Sequence, residues 1–276
     1  MNLLGLHHVT ALAGDAQQNL DYYTGPRGMC LVKRTVNYDD PAAHHFYYSD
    51  PAGSPGSVLT FFPWGHVRKA RKGTGQAVAV AFETAQVVAT SQRFGQPVQT
   101  ILDPDGIELD FVQVPHARAH RLHSVSLCVP ELGAAETFLA ETMSLDAVGK
   151  EGNRSRFQIG ADQFVDLLHD PTAEPGKMAA GVLHHVAFRA GTEDNLLAWR
   201  ERLVAAGLRV TPVKDRTYFH SIYFRGTGNV LFELATDAPG FTIDESAEAL
   251  GQRLCLPPWL EAHRTEVEGR LSPVRF

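Results

Sequence analysis

Two Leu-His-His-Val tetrapeptides stand far apart in the chain of 276 residues, one containing His7 and His8 and the other His184 and His185. A third element of interest is Glu233, an acid inside the otherwise apolar run Val230-Leu-Phe-Glu-Leu-Ala. An acid in such a strand is costly to bury unless it is paired or holds a cation. Two neutral imidazoles and one carboxylate can occupy one face of an octahedron and leave positions open for a substrate and dioxygen, the arrangement of non-haem Fe(II) oxygenases. His8, His185 and Glu233 are therefore the expected metal ligands, with Fe(II) the expected ion. Mn(II) is accepted by the same set, and zinc could bind it.

The elements that would position these residues repeat. Four segments open alike: Leu6–Asp15, Gln76–Thr84, Leu122–Glu131 and Leu183–Thr192. Each alternates or runs apolar as a buried strand does. Helical spacing follows the first, third and fourth, in AQQNLDYYTG, LGAAETFLAETM and EDNLLAWRERLVAAG. Further strands and turn signals complete a βαβββ unit of about 60 residues, a length that marks a repeated block. The second unit is the shortest and weakest.

The expected fold is α+β, with four βαβββ modules forming two cup-shaped mixed sheets and a C-terminal helical tail. The expected divisions are 1–115 for the first pair of modules, 116–121 for a linker, 122–237 for the second pair and 238–276 for the tail. In the tail, DESAEALGQRL reads as an acidic amphipathic stretch, and Pro258 is placed to open a second helical run.

Strand parity sorts the histidines. Side chains alternate across a strand, so His8 and His185, at equivalent places, should face the concave surface together with Thr10, while His7 and His184 should point away or to the rim. His184 is also positioned to orient a ligand from behind. In the third module LHSV replaces LHHV, which puts Ser124 at the ligand position and His123 beside it. That module supplies no ligand.

Composition narrows the partners. Hydrophobic residues make up 44% and charged residues 20%, ordinary for a folded chain. A formal net charge of -6 gives no basic footprint for nucleic acid or an anionic membrane. No apolar run approaches membrane-spanning length. Cys30, Cys128 and Cys255 are too scattered for a thiolate site or disulfide framework, and MNLLGLHHVT lacks the features of a secretory signal. A cytoplasmic setting is expected. Asn153-Arg154-Ser155 is a short pattern that chance supplies often.

The longer words GLHHVTALAGDAQ, LVKRTVNYDDP, AGSPGSVLTFFPW, DRTYFHSIYFR and LFELATDAPGF resemble the vicinal oxygen chelate superfamily over nearly the whole chain. More narrowly they resemble its ring-cleaving dioxygenases of para-hydroquinones. The resemblance implies that modules one and four share a cup whose metal takes His8, His185 and Glu233. It implicates Arg216 and Tyr223 as groups that meet the substrate or its oxygenated form. A guanidinium is permanently charged, and a phenol near a metal can donate a hydrogen bond or a proton. Arg216, Tyr223 and His184 are thus the expected catalytic groups, and Thr10, His7, Arg216 and Tyr223 the expected substrate contacts. Ser124 departs from the catechol-cleaving enzymes of the superfamily, which draw a histidine from module three.

The expected partners are a small aromatic and O2, with no nucleic acid and no membrane; a homo-oligomer is left open. Two rival readings share the fold: a glyoxalase-type isomerase, which needs a redox-silent metal and more acidic ligands, and a non-catalytic small-molecule binding or resistance protein. Phe61, Phe62, Trp64 and Phe219 are available as apolar walls, with a core position the default. His44 and His45 open a strand and are assigned to the rim as readily as to the pocket. The cluster of His66, Arg68, Lys69, Arg71 and Lys72 reads as a solvated loop, and His116, His120 and His123 as the domain connection. No G-x-S-x-G elbow and no phosphate-cradling loop is present.

Overall fold

The computed structural model describes residues 2–65 and 70–276. Module one comprises β1 (Leu6–Ala13), α1 (Ala16–Thr24), β2 (Cys30–Asn37), β3 (Asp40–Ser49) and β4 (Val58–Pro63). Module two runs through β5 (Gln76–Thr84), β6 (Ser91–Arg93), β7 (Gln96–Leu102) and β8 (Glu108–Gln113), with a non-helical crossover after β5. Module three holds β9 (Leu122–Val129), α2 (Leu132–Thr137), β10 (Asp146–Glu151), β11 (Arg154–Ile159) and β12 (Gln163–His169). Module four holds β13 (Val182–Gly191), α3 (Glu193–Ala205), β14 (Lys214–Asp215), β15 (Phe219–Arg225) and β16 (Leu231–Pro239).

Local chemistry starts two of the helices. Asp15 Oδ1 accepts from the Gln18 amide at 2.8 Å and Thr192 Oγ1 from the Asn195 amide at 3.3 Å, filling donors that the first turns of α1 and α3 leave open.

Two eight-stranded mixed sheets result. The first has the order β14-β15-β16-β13-β1-β4-β3-β2 and joins module four to module one; the second, β10-β11-β12-β9-β5-β8-β7-β6, joins module three to module two. Modules one and four share a cup, as the resemblance implies. The central strands of the two sheets stand back to back. Leu6, Val9 and Ala11 of β1, Leu183, Val186 and Phe188 of β13, Val80 and Phe82 of β5, and Leu122, Val125 and Leu127 of β9 belong to one buried core.

Strict alternation fails where the histidines stand. Leu6 pairs with Phe188 but His8 with Ala187, which leaves His7 as an extra residue; Thr10 pairs with His185 but Ala11 with Leu183, which leaves His184 as another. Each is a β-bulge. Two consecutive residues of one strand then face the cup while the apolar residues on either side both face the core. His7 and His184, expected to point away or to the rim, therefore lie on the cup side beside His8 and His185, with His184 at the cavity wall and His7 behind His8. The free amide of Gly56 donates to the carbonyl of the bulged His7 at 2.8 Å, and Gly56 itself accepts from Leu122 of the second sheet at 2.8 Å. Gly56 adopts φ +88°, which suits a residue without Cβ.

Beyond Asp237 the acidic stretch does not form a regular helix. One short 3-10 turn, Phe241–Ile243, precedes it and another, Ala247–Ala249, lies within it, while Asp244 and Glu245 both turn back onto the wholly buried Lys33 Nζ at 2.5 Å. The run after Pro258 forms two short helices, α4 (Pro258–Glu261) and α5 (Arg264–Arg270), with Pro258 in the first turn. Phe241 packs on Tyr47 and Tyr218 at ring distances of 5.2 Å, so the tail braces one wall of the first cup from behind. Among the described residues no helix is long and apolar enough to cross a membrane.

Candidate metal centre and active site

Two rows of paired residues form the floor of the first cup. One reads Tyr223–Glu233–Ala187–His8 across β15, β16, β13 and β1; the next reads His185–Thr10–Thr60–Tyr47 across β13, β1, β4 and β3. Ala187, with only a methyl group, lies between Glu233 and His8 and leaves the space above it open. His8, His185 and Glu233 each bring a ligand atom within 4.8 Å of the others, and all three are buried. The Nε2 atoms of His8 and His185 lie 3.3 and 2.9 Å from Glu233 Oε2, and 3.4 Å from each other.

The donor set suits a divalent cation. Among the described residues neither carboxylate oxygen of Glu233 has a hydrogen-bond partner. Burial opposes its ionisation, yet the adjoining His8 and His185 hold its carboxyl well below the usual range. Burial pushes the His185 imidazole down, toward its neutral, ligating form. Hydrogen bonds behind His8 fix which nitrogen is free. His7 Nε2 lies 3.1 Å from the Thr236 carbonyl, which can only accept, so a neutral His7 leaves Nδ1 as an acceptor. His8 must then donate from its own Nδ1 at 2.8 Å, and a neutral His8 keeps its lone pair on Nε2. His184 Nδ1 likewise lies 2.7 Å from His185 Nδ1, so that ligand too has an imidazole behind it.

The second cup answers the same problem differently. Its equivalent rows are Arg156–Asp166–Ser126–Ala79 and Ser124–Ala81–Asp110–Thr100. The acid survives as Asp166, but Ala79 and Ser124 replace both imidazoles. Arg156 spans Asp166 with two bonds of 2.7 and 2.8 Å. A guanidinium supplies the cation there, whereas Glu233 has no such partner.

Above the triad lies a cavity of about 430 Å³, within the range of small-ligand sites. His184, Thr10, Arg216 and Tyr223 all line it, with Phe62, Trp64 and Phe219 as apolar walls. Phe61 instead belongs to the core. His7 is not among the described residues that line the cavity; it sits behind His8, between that imidazole and the Thr236 carbonyl. Arg216 is anchored by Asp39 at 3.0 Å and donates from Nε to Tyr223 Oη at 3.1 Å. Ser221 also donates to that oxygen, at 3.2 Å, which leaves the phenol's own hydrogen free. Burial, with Glu233 nearby, raises the Tyr223 hydroxyl above its usual range, so the phenol stays protonated.

Sequence reading left His45 open to the rim or the pocket, and it lines the cavity, its ring tilted between those of Tyr47 and Phe62 with centroids 4.1 and 4.2 Å away. Tyr47, on the same wall, was not singled out at all. The alternation of β3, read with Tyr47 opposite Thr60, would have found both. His123 is not linker: it is buried in β9, against Ser124 at 3.0 Å. Of the basic loop, His66, Arg68 and Lys69 lie outside the described residues, and Arg71 pairs with Glu174.

Burial lowers His7, His123 and His184 each to about 3 and raises Asp103 to about 6. At pH 5 three imidazoles are neutral in the fold but protonated once unfolded, while Asp103 and its neighbour Asp105, both raised by burial, reverse that sign. Unfolding should then take up at least about one proton, and stability should fall by at least about 1.4 kcal/mol per pH unit below pH 6.5. Denaturant titrations of the metal-free protein between pH 7 and 4.5 measure this slope; a flat profile would contradict the buried, neutral histidines.

The molecule carries marks of a known family. A model of the glyoxalase/bleomycin resistance protein/dioxygenase superfamily matches residues 121–243. Over its full length the chain is similar to a Bacillus subtilis (strain 168) protein named as a ring-cleaving dioxygenase, MhqO, with 37% identity over 98% of this chain and 96% of that one. It is also 31% identical to the chlorohydroquinone/hydroquinone 1,2-dioxygenase of Sphingobium indicum, over 95% of this chain and 94% of the relative. The crystal structure of a B. subtilis protein described as a dioxygenase superposes with a TM-score of 0.94 at 35% identity, covering 99% of this chain and 98% of that one. Glyoxalase I from Zea mays, 14% identical, shares the fold with a TM-score of 0.65 over 84% of this chain and 92% of that one. The chain belongs to the glyoxalase/bleomycin resistance protein/dioxygenase superfamily and, within it, to the branch of the ring-cleaving hydroquinone dioxygenases.

Proposed function

We propose that the protein is an Fe(II)-dependent dioxygenase that opens a para-hydroquinone ring by inserting both atoms of O2. The observation that carries this reading is Glu233: a wholly buried carboxylate with no hydrogen-bond partner, set against two imidazole Nε2 atoms beneath an apolar-walled cavity. Relatives named for ring cleavage and for hydroquinone support the substrate class.

His8, His185 and Glu233 would hold the ion, and Fe(II), or Mn(II) in its place, supplies the one-electron chemistry that lets an aromatic react with dioxygen. Arg216, fixed by Asp39, brings a permanent positive charge to the cavity and favours the ionised form of the substrate hydroxyl. Tyr223 directs its free O–H at the same oxygen and is placed to give up a proton when charge develops there. His184 closes the wall beside His185 and steadies that ligand through Nδ1. Phe62, Trp64 and Phe219 exclude water around the ring.

Protein loaded anaerobically with Fe(II) should take up one O2 per hydroquinone and give a ring-opened product, while the zinc-loaded form should take up none. Turnover of hemithioacetals with zinc or nickel, without oxygen uptake, would instead establish an isomerase.

A further inference from the structure

His45 is held by a hydrogen-bonded chain whose direction the fold determines. Its Nε2 lies 2.9 Å from Thr60 Oγ1, and Thr60 Oγ1 lies 2.9 Å from Thr10 Oγ1. Both threonines are fully buried at 0% exposure. Among the described residues Thr10 has no other side-chain hydrogen bond. If Thr10 donates to Thr60 and Thr60 donates to Nε2, each hydroxyl hydrogen is used. The opposite direction would leave the hydroxyl hydrogen of the fully buried Thr10 without an acceptor among the described residues, an arrangement that folded proteins avoid. His45 therefore carries its hydrogen on Nδ1. Among the described residues that atom has no partner, and His45 lines the cavity. Burial, followed by the nearby His8 and His185, keeps the ring neutral.

We propose that the Nδ1–H of His45 donates to the second oxygen of the bound aromatic and thereby selects rings whose two oxygens lie opposite each other. The proposal rests on the ring-cleavage reading above. His45 stands on β3, two strands from β1 across β4, whereas Tyr223 stands on β15, on the other flank of the triad. An aromatic anchored by one oxygen over the triad thus has Tyr223 of β15 on one side and His45 of β3 on the other, both in the cavity wall. In a 1,2-diol the second oxygen would stay beside the first. In a 1,4-diol it projects toward the far wall, where a fixed neutral donor can meet it.

Anaerobic calorimetric titration of the zinc-loaded protein with hydroquinone and with phenol tests this without turnover. His45→Gln keeps an amide near Thr60 but removes the donor at the Nδ1 position, and should weaken hydroquinone about five- to tenfold while leaving phenol unchanged. His45→Asn, whose amide falls near Nδ1, should retain most of the preference. Thr60→Val, which removes the donor to Nε2 with little change of volume, should lose part of it. Equal weakening of both ligands, or no change in either His45→Gln or Thr60→Val, overturns the assignment. Wild-type protein that takes up no oxygen with Fe(II) and hydroquinone would refute the ring-cleavage reading instead, so the two failures are distinguishable.

Discussion

Glu233→Gln should lose at least about 100-fold in divalent-metal affinity, and all measurable turnover with it, since changes even to groups behind a ligand cost 10- to 100-fold. The amide keeps the size of the side chain but removes the charge that offsets the cation's. The metal-free variant should change little in stability. A neutral amide costs less to bury than a charge, which offsets the lost attraction of the carboxylate to His8 and His185, so the variant should stay within about 1 kcal/mol of the wild type. Metal titration together with melting in chelator separates the two effects. A metal-free variant that loses several kcal/mol would make Glu233 a structural partner of the histidines.

The opposite outcome is expected in the second cup. Arg156→Met leaves the buried Asp166 without its partner and removes a guanidinium that also lies 4.0 Å from the Phe94 ring and 4.7 Å from that of Phe164. The loss should reach about 3–5 kcal/mol, with a fall in Tm of roughly 10 °C. Metal binding in the first cup should persist. The double variant Arg156→Met with Asp166→Leu should recover most of the stability, because an apolar pair of similar volume replaces the ion pair without leaving a charge. A single-variant loss below about 1 kcal/mol would mean that Asp166 does not depend on Arg156, and the comparison between the cups would lose its physical basis.

Duplication made the triad legible in the sequence. His8 and His185 announced themselves by occurring at one place in two modules, and Glu233 by its unfavourable surroundings; their approach to within hydrogen-bond distance of one another needed the sheet pairing of β1, β13 and β16. What parity reasoning missed was the pair of bulges. Leu6 and Val9 both face the core although three residues apart, which period-two alternation forbids, so the pattern apolar-His-His-apolar was itself a bulge signal. Arg216 and Tyr223 had no local signal and entered through resemblance alone. His45 and Thr60 were hidden because their roles arise from a contact between strands, β3 beside β4 through one hydroxyl, and Thr60 sits unremarked in the run Val58-Leu-Thr-Phe-Phe. The tail departed from its amphipathic pattern for a comparable reason. Lys33, fully buried in β2, holds Asp244 and Glu245, and no local propensity reports an ion pair across two hundred residues.

Turnover of hydroquinone by the Fe(II)-loaded protein under oxygen-18 gas, followed by mass spectrometry of the ring-opened product, tests the central claim most directly. Both atoms of the labelled molecule should appear in each product. Product carrying one labelled atom or none, or oxygen consumed with the ring left intact, would contradict a ring-cleaving dioxygenase built on His8, His185 and Glu233.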